Sequence, residues 1–206
     1  MARYLITQSL LSSWNYVHNC WEGCEEDAMA SFLATLRREP AEVTEAMQNG
    51  IEFENAVYAE ASGQLRPPHP KWERGICEVA AFLKGAQFQV RVQREIQIAG
   101  MTFLVYGVLD ALQAGIISDV KFKNKSFGSL DLAGEYFDSP QHPFYFFMVP
   151  EARLFRYLVS DGTDLYIEQY TPDETPDAGE LIAEFVDFLN VTGHMETYKK
   201  YWAARE

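Results

Sequence analysis

FLVYGVLDALQAGIISDVKFKNK, residues 103–125, is the stretch on which the fold turns. Its two apolar runs, 103–112 and 115–122, read as neighbouring strands joined by a short turn around Ala114-Gly115. Each run carries one carboxylate, Asp110 and Asp119, among Val, Leu and Ile. Side chains alternate along a strand with a period of two, so Asp119 and Lys121 point the same way. A buried carboxylate without a partner costs several kcal/mol or takes up a proton, so two near each other call for a cation. A divalent metal meets that need with Lys121 beside it, the arrangement that metal-assisted phosphodiester hydrolysis requires.

Working outward, residues 87–98 alternate Phe88, Val90 and Val92 with polar side chains and read as a half-buried strand. Gly100 turns it into 101–112 as an antiparallel hairpin, and 116–122 adds a third strand. Glu95 reads as a solvent-facing residue of this meander. Downstream, the polar connection 126–138 is expected to form a flap over the site. Ser139 caps and Pro140 opens a helix to about Met148. Strands follow at 153–160 and 165–171, and an amphipathic helix over 178–205 is expected to break near Thr192-Gly193.

Upstream the chain is helical. Thr7 is a candidate N-cap for a helix running to about His18, and 25–38 places acids first and Arg37-Arg38 last, as the helix dipole favours. A short helix over 41–48 is expected to close at Asn49-Gly50, with a separate helix over 51–61 and an amphipathic one over 71–85. The expectation is one α/β domain over 1–206: a mostly helical part at 1–85, a sheet core at 86–172 and a C-terminal helix at 173–206. Its centre is a mixed sheet, a three-strand meander followed by a helix and two further strands, flanked by helices.

Composition narrows the classes. No apolar run approaches the ~20 residues of a membrane span, and the first residues lack the long apolar region of a signal peptide. Three cysteines point to reduced thiols and a cytoplasmic location. Cys20 and Cys24, beside His18, lack the further thiolates of an iron–sulfur cluster, since only Cys77 remains, and no cluster is expected. The net charge of −13 opposes tight duplex binding. Yet Arg91, Arg94, Lys121, Lys123 and Lys125 gather on or beside the core strands, so a local basic groove for DNA on an acidic body is expected.

Gly107-Val108-Leu109-Asp110 followed by Asp119-Val120-Lys121 resembles the core of the PD-(D/E)XK nuclease superfamily. Gly50-Ile51-Glu52-Phe53-Glu54 is similar to the first-helix signature of its RecB-like and lambda-exonuclease-like members, and Gln141-His142-Pro143-Phe144-Tyr145 to the Q-x-x-x-Y element of the RecB-like group. The pieces stand in the family's order across residues 50–145. Leu109 replaces the proline that often precedes the first aspartate.

The resemblance implies a restriction-endonuclease-like core and Mg²⁺- or Mn²⁺-dependent hydrolysis of DNA, with an exonuclease expected. It implies a metal site of Glu54, Asp110, Asp119 and the Val120 carbonyl, with Glu52 as the alternative to Glu54. Such all-oxygen ligands suit these ions. Lys121 would orient and help deprotonate the attacking water or stabilise the pentacovalent phosphate, and Gln141 and Tyr145, one helical turn apart, would help place the substrate. A homo-oligomer, or a helicase or recombination partner, is compatible with this reading. Two alternatives stand beside it: a catalytically silent nuclease fold used for DNA binding or protein interaction, and a magnesium phosphatase. The scattered histidines weigh against the latter.

Overall fold

A computed structural model describes residues 2–129 and 132–204. Its centre is β3 (Met101–Gln113), the strand that carries Asp110. On one edge β3 pairs antiparallel with β2 (Gln87–Ile98), turned through Ala99-Gly100. Both turn residues have positive φ, 50° and 75°, which matches the twist of a two-residue hairpin. Ala114-Gly115 repeats that geometry into β4 (Ile116–Phe122). β4 runs parallel to β5 (Leu154–Ser160), and β5 pairs antiparallel with β6 (Leu165–Tyr170). The mixed α/β architecture, with its meander and two later strands, is as expected.

One strand escapes the sequence reading. Residues 3–7 form β1 (Arg3–Thr7), which lies parallel to β3 from Thr102 to Tyr106 and makes the sheet six-stranded. Thr7 then caps α1 (Gln8–Asn19), its hydroxyl accepting the Leu10 N–H. α2 (Glu25–Leu36) follows, and next comes a correction: α3 (Glu45–Ala61) is continuous through Asn49-Gly50, where two helices were expected. Glycine inside a helix costs only about 1 kcal/mol, and the burial of Phe53 and Val57 one turn apart outweighs that. Asn49 also donates to the Asn124 side chain at 2.8 Å, tying the helix to the end of β4.

Two apolar clusters cover the sheet. α3 and α4 (Glu73–Phe82) close one face through Phe53, Val57, Ile76 and Val79 against Ala111, Val120 and Leu158. The other face packs on α1, α2, α5 (Gln141–Met148), α6 (Ala178–Val191) and α7 (Met195–Trp202). The break expected near Thr192-Gly193 separates α6 from α7, and the final residues of the expected helix, 205 and 206, lie outside the described residues. So do 130 and 131 of the expected flap. Its described flanks are anchored: Phe127 N–H donates to Asp161, and Tyr136 stacks on Tyr157 at 4.2 Å. No helix among the described residues is long and apolar enough to cross a membrane.

Candidate metal centre in a sheet gap

The site follows from where pairing stops. β1 covers the edge of β3 as far as Tyr106, and β4 begins to cover it only at Ala111. Among the described residues, 107–110 have no strand partner on that edge. Helix α5 serves the gap instead. The Tyr145 hydroxyl donates to the Val108 carbonyl at 2.8 Å, and Gly107 leaves room for the ring. A Cβ there would stand 2.6 Å from Tyr145 Cε1 and 2.9 Å from Met148 Cε.

At the end of the gap, Asp110 Oδ2 accepts the Val120 N–H at 3.0 Å, so a side chain takes the place of a ladder bond. Asp119 and Lys121 do share a face, as their spacing predicts, and form an ion pair at 2.7 Å. Gln141 Nε2 donates to Asp119 Oδ1 from α5. Asp119 Oδ2 is buried with no hydrogen-bond donor aligned on it among the described residues; its contact is the Lys121 ammonium.

Glu54 arrives from the opposite face, on α3. Its Oε1 accepts the Tyr58 hydroxyl at 2.6 Å and lies 3.4 Å from Gln89 Nε2, which also reaches the Tyr58 oxygen at 3.3 Å. Glu52 points elsewhere, to His69 Nε2 at 3.2 Å. Gln89 lies opposite Asp110 in the β2–β3 register, yet the two are skipped as a pair, and Gln89 adopts φ 52°. This strained residue switches the hairpin between layers. Phe88 and Ala111 join the α3–α4 cluster, whereas Val90 and Leu109 join the other.

The electrostatics follow from burial and crowding. Burial first, then Asp119 and Glu54, push the Asp110 pKa well above the usual carboxylate range, against the lowering effect of the Val120 N–H and Lys121. Burial also raises Glu54; the Tyr58 hydrogen bond opposes this, Asp119 adds to it, and Lys121 opposes it. For Lys121, burial pulls the pKa down, but Asp119, with Asp110 and Glu54 behind it, prevails and raises it. Three carboxylates thus face one ammonium.

Glu54, Asp110 and Asp119 do not form a group whose ligand atoms all lie within 4.8 Å; among the described residues Glu60, Glu73 and Cys77 do. That second cluster has a cation of its own. Arg66 binds Glu73 at 2.7 Å and Glu60 at 3.0 Å.

Of the cations expected to form a basic groove, Lys121 is committed to Asp119. Lys123 pairs with Glu135, and Arg94 turns to the Phe147 carbonyl at 2.8 Å, over that residue's ring. Lys125 and Arg91 are exposed. Sequence reasoning missed Tyr58 and Gln89. The four-residue step from Glu54 marks Tyr58 in retrospect, while nothing local marks Gln89.

Fold and site together define a mixed α/β protein with crowded carboxylates and a lysine at a gap between central strands. No family model matches the chain, and no curated protein matches it significantly. Among solved structures, the crystal structure of SSO0001 matches with a TM-score of 0.51 at 15% identity, over 92% of this chain and 77% of that one, a likeness of fold. That of Scheffersomyces stipitis Rai1 matches at 0.36 and 14%, over 91% and 61%. Rai1 in complex with (3'-NADP)+ and calcium ion gives 0.38 and 12%, over the same shares. The Rai1 likenesses are too slight to bear on the site.

Proposed function

We propose that the chain is a divalent-metal-dependent nuclease that hydrolyses DNA phosphodiester bonds from an end, in repair, recombination, phage or defence processing. The observation that carries this reading is the meeting of Asp110 with the Asp119–Lys121 ion pair at the gap between β3 and β4. The donors fit a hard cation such as Mg²⁺ or Mn²⁺. They are all oxygens, their charge exceeds that of the one ammonium, and buried Asp119 Oδ2 has that ammonium as its contact, with no second donor aligned on it among the described residues.

Asp110, Asp119 and Glu54, with the Val120 carbonyl, would hold the ion. When bound, such an ion supplies Lewis acidity and lowers the pKa of a water. The chain's own groups do the rest. Val120 N–H orients Asp110, while Gln141 and Lys121 hold Asp119 from its two oxygens. Lys121, an ammonium at neutral pH, donates to negative charge growing on the phosphate rather than taking a proton from water.

The test is incubation of end-labelled linear DNA and of circular DNA with Mg²⁺ or Mn²⁺. Linear DNA is expected to shorten while the circle survives. Lys121→Ala is expected to retain Mn²⁺ yet lose turnover by about 100-fold or more. Intact linear DNA under both ions overturns the reading in favour of a silent nuclease-fold module.

A further inference from the structure

Along β3, Phe103, Val105, Gly107 and Leu109 are buried, but Leu104, Tyr106 and Val108 on the other face are only half-buried and join neither core cluster. The α3–α4 layer covers this side of the sheet only from Ala111 onward. Among the described residues, an open strip of sheet therefore leads from Leu104 to Asp110, about 20 Å at the rise of an antiparallel strand. At its far end it widens into a cavity of 680 Å³ lined by Leu5, Arg38, Leu104, Tyr106, Lys200 and Tyr201, among others.

The strip carries positive charge on an acidic chain. Arg91 lies directly across from Val108, Gln93 from Tyr106 and Glu95 from Leu104, so paired side chains put all three on this face, where Arg3 neutralises Glu95 at 2.9 Å. Among the described residues, Arg91, Arg38 and Lys200 make no ion pair, although the chain carries 30 acidic residues against 17 basic ones. Arg38 instead lies over the Trp202 ring at 4.1 Å, and Lys200 lies near the Tyr201 ring at 5.0 Å. Cations without carboxylate partners, interleaved with Tyr106 and the 37% exposed Tyr201, form a surface for phosphates and ring faces together.

We infer that this strip is a binding track for single-stranded DNA, which it delivers to Asp110. The inference rests on the nuclease reading and gives that site its substrate class. Stacking on tyrosine needs unpaired bases, which a duplex keeps hidden, and base–aromatic stacking with phosphate neutralisation is how unpaired strands are held without sequence preference. The acidic body repels the broader phosphate array of a duplex.

The test is fluorescence anisotropy of a short labelled oligothymidylate and of a duplex of equal length, with the full chain in chelator so that nothing is cut. The single strand is expected to bind more tightly. Arg91→Glu with Lys200→Glu, and separately Tyr106→Leu, are expected to weaken it by about tenfold or more with circular dichroism unchanged. The same charge change at Lys71 and Lys84, flanking α4, controls for net charge and is expected to weaken binding less. Equal binding by the track variants and wild type, a preference for duplex, or no binding of either DNA overturns the track. Single-strand binding lost in the track variants, from a wild type that cuts under no divalent ion, supports the track and overturns the nuclease reading alone.

Discussion

Asp110 Oδ2 and the Val120 N–H meet at 3.0 Å where a strand-to-strand bond would otherwise form, so this carboxylate holds β4 in place as well as carrying charge. The two roles separate by substitution. Asp110→Asn keeps an acceptor for Val120 and removes the charge that repels Asp119 and Glu54. In chelator it is expected to melt no lower than wild type. Asp110→Ala leaves the N–H unpaired and is expected to lose about 1–3 kcal/mol. Both are expected to lose Mn²⁺ binding by calorimetry. An Asn variant as unstable as the Ala variant would remove charge crowding from the account.

Gln141 and Tyr145 are one turn apart on α5 but spend their polar ends differently. Gln141 reaches Asp119, whereas the Tyr145 hydroxyl is committed to the Val108 carbonyl. Gln141→Ala is therefore expected to lower turnover on DNA at saturating Mg²⁺ with little change in urea midpoint. Tyr145→Phe is expected to cost about 1 kcal/mol of stability and little turnover. Steady-state rates and urea titrations of both variants decide the matter; the reverse pattern would put the Tyr145 hydroxyl on the substrate.

Gly107 is the only residue type that lets the Tyr145 ring lie against the uncovered edge of β3. A methyl at this position meets buried ring and thioether atoms under 3.0 Å. Gly107→Ala is expected to destabilise the fold by about 1–3 kcal/mol through overpacking, read from urea unfolding. An unchanged midpoint would mean that α5 shifts away at no cost.

His142 gives a pH signature outside the carboxylate cluster. It stacks on Tyr170 at 4.1 Å with Nδ1 3.1 Å from the Tyr157 hydroxyl, and burial pulls its pKa down to about 4 from an ordinary 6.5. The unfolded chain thus takes up this proton at a higher pH than the folded one. Its contribution is whole above about pH 6.5 and declines as pH falls toward 4, by at most about 3 kcal/mol. Replacing it, as in His142→Gln, is expected to flatten stability against pH within that window. Urea midpoints at several pH values compare the two slopes, and parallel slopes would exclude His142 as the cause.

Much of the sheet was legible because its signals are local. Alternation over 87–98 and the turns at Ala99-Gly100 and Ala114-Gly115 specify the meander, and Thr7 marks a helix start through its own hydroxyl. β1 was not legible, since five residues carry little periodicity and its parallel partner lies about a hundred residues along the chain. Continuity of α3 was misread for the related reason that local breakers at Asn49-Gly50 yield to the packing of Phe53 and Val57.

The order of residues alone determined that Asp119 and Lys121 share a strand face, and their 2.7 Å contact follows from a period of two. It likewise determined that Asp110 stands at the end of an apolar strand. Only the tertiary structure decided that β1 and β4 leave residues 107–110 of β3 uncovered, that α5 fills the opening, and that Gln89 at φ 52° turns the hairpin from one core layer to the other. The physical reason is range. Strand alternation is set within a few residues, whereas a gap exists only when three separate segments compete for one edge, and the side chains that enter it come from whichever helices those segments position.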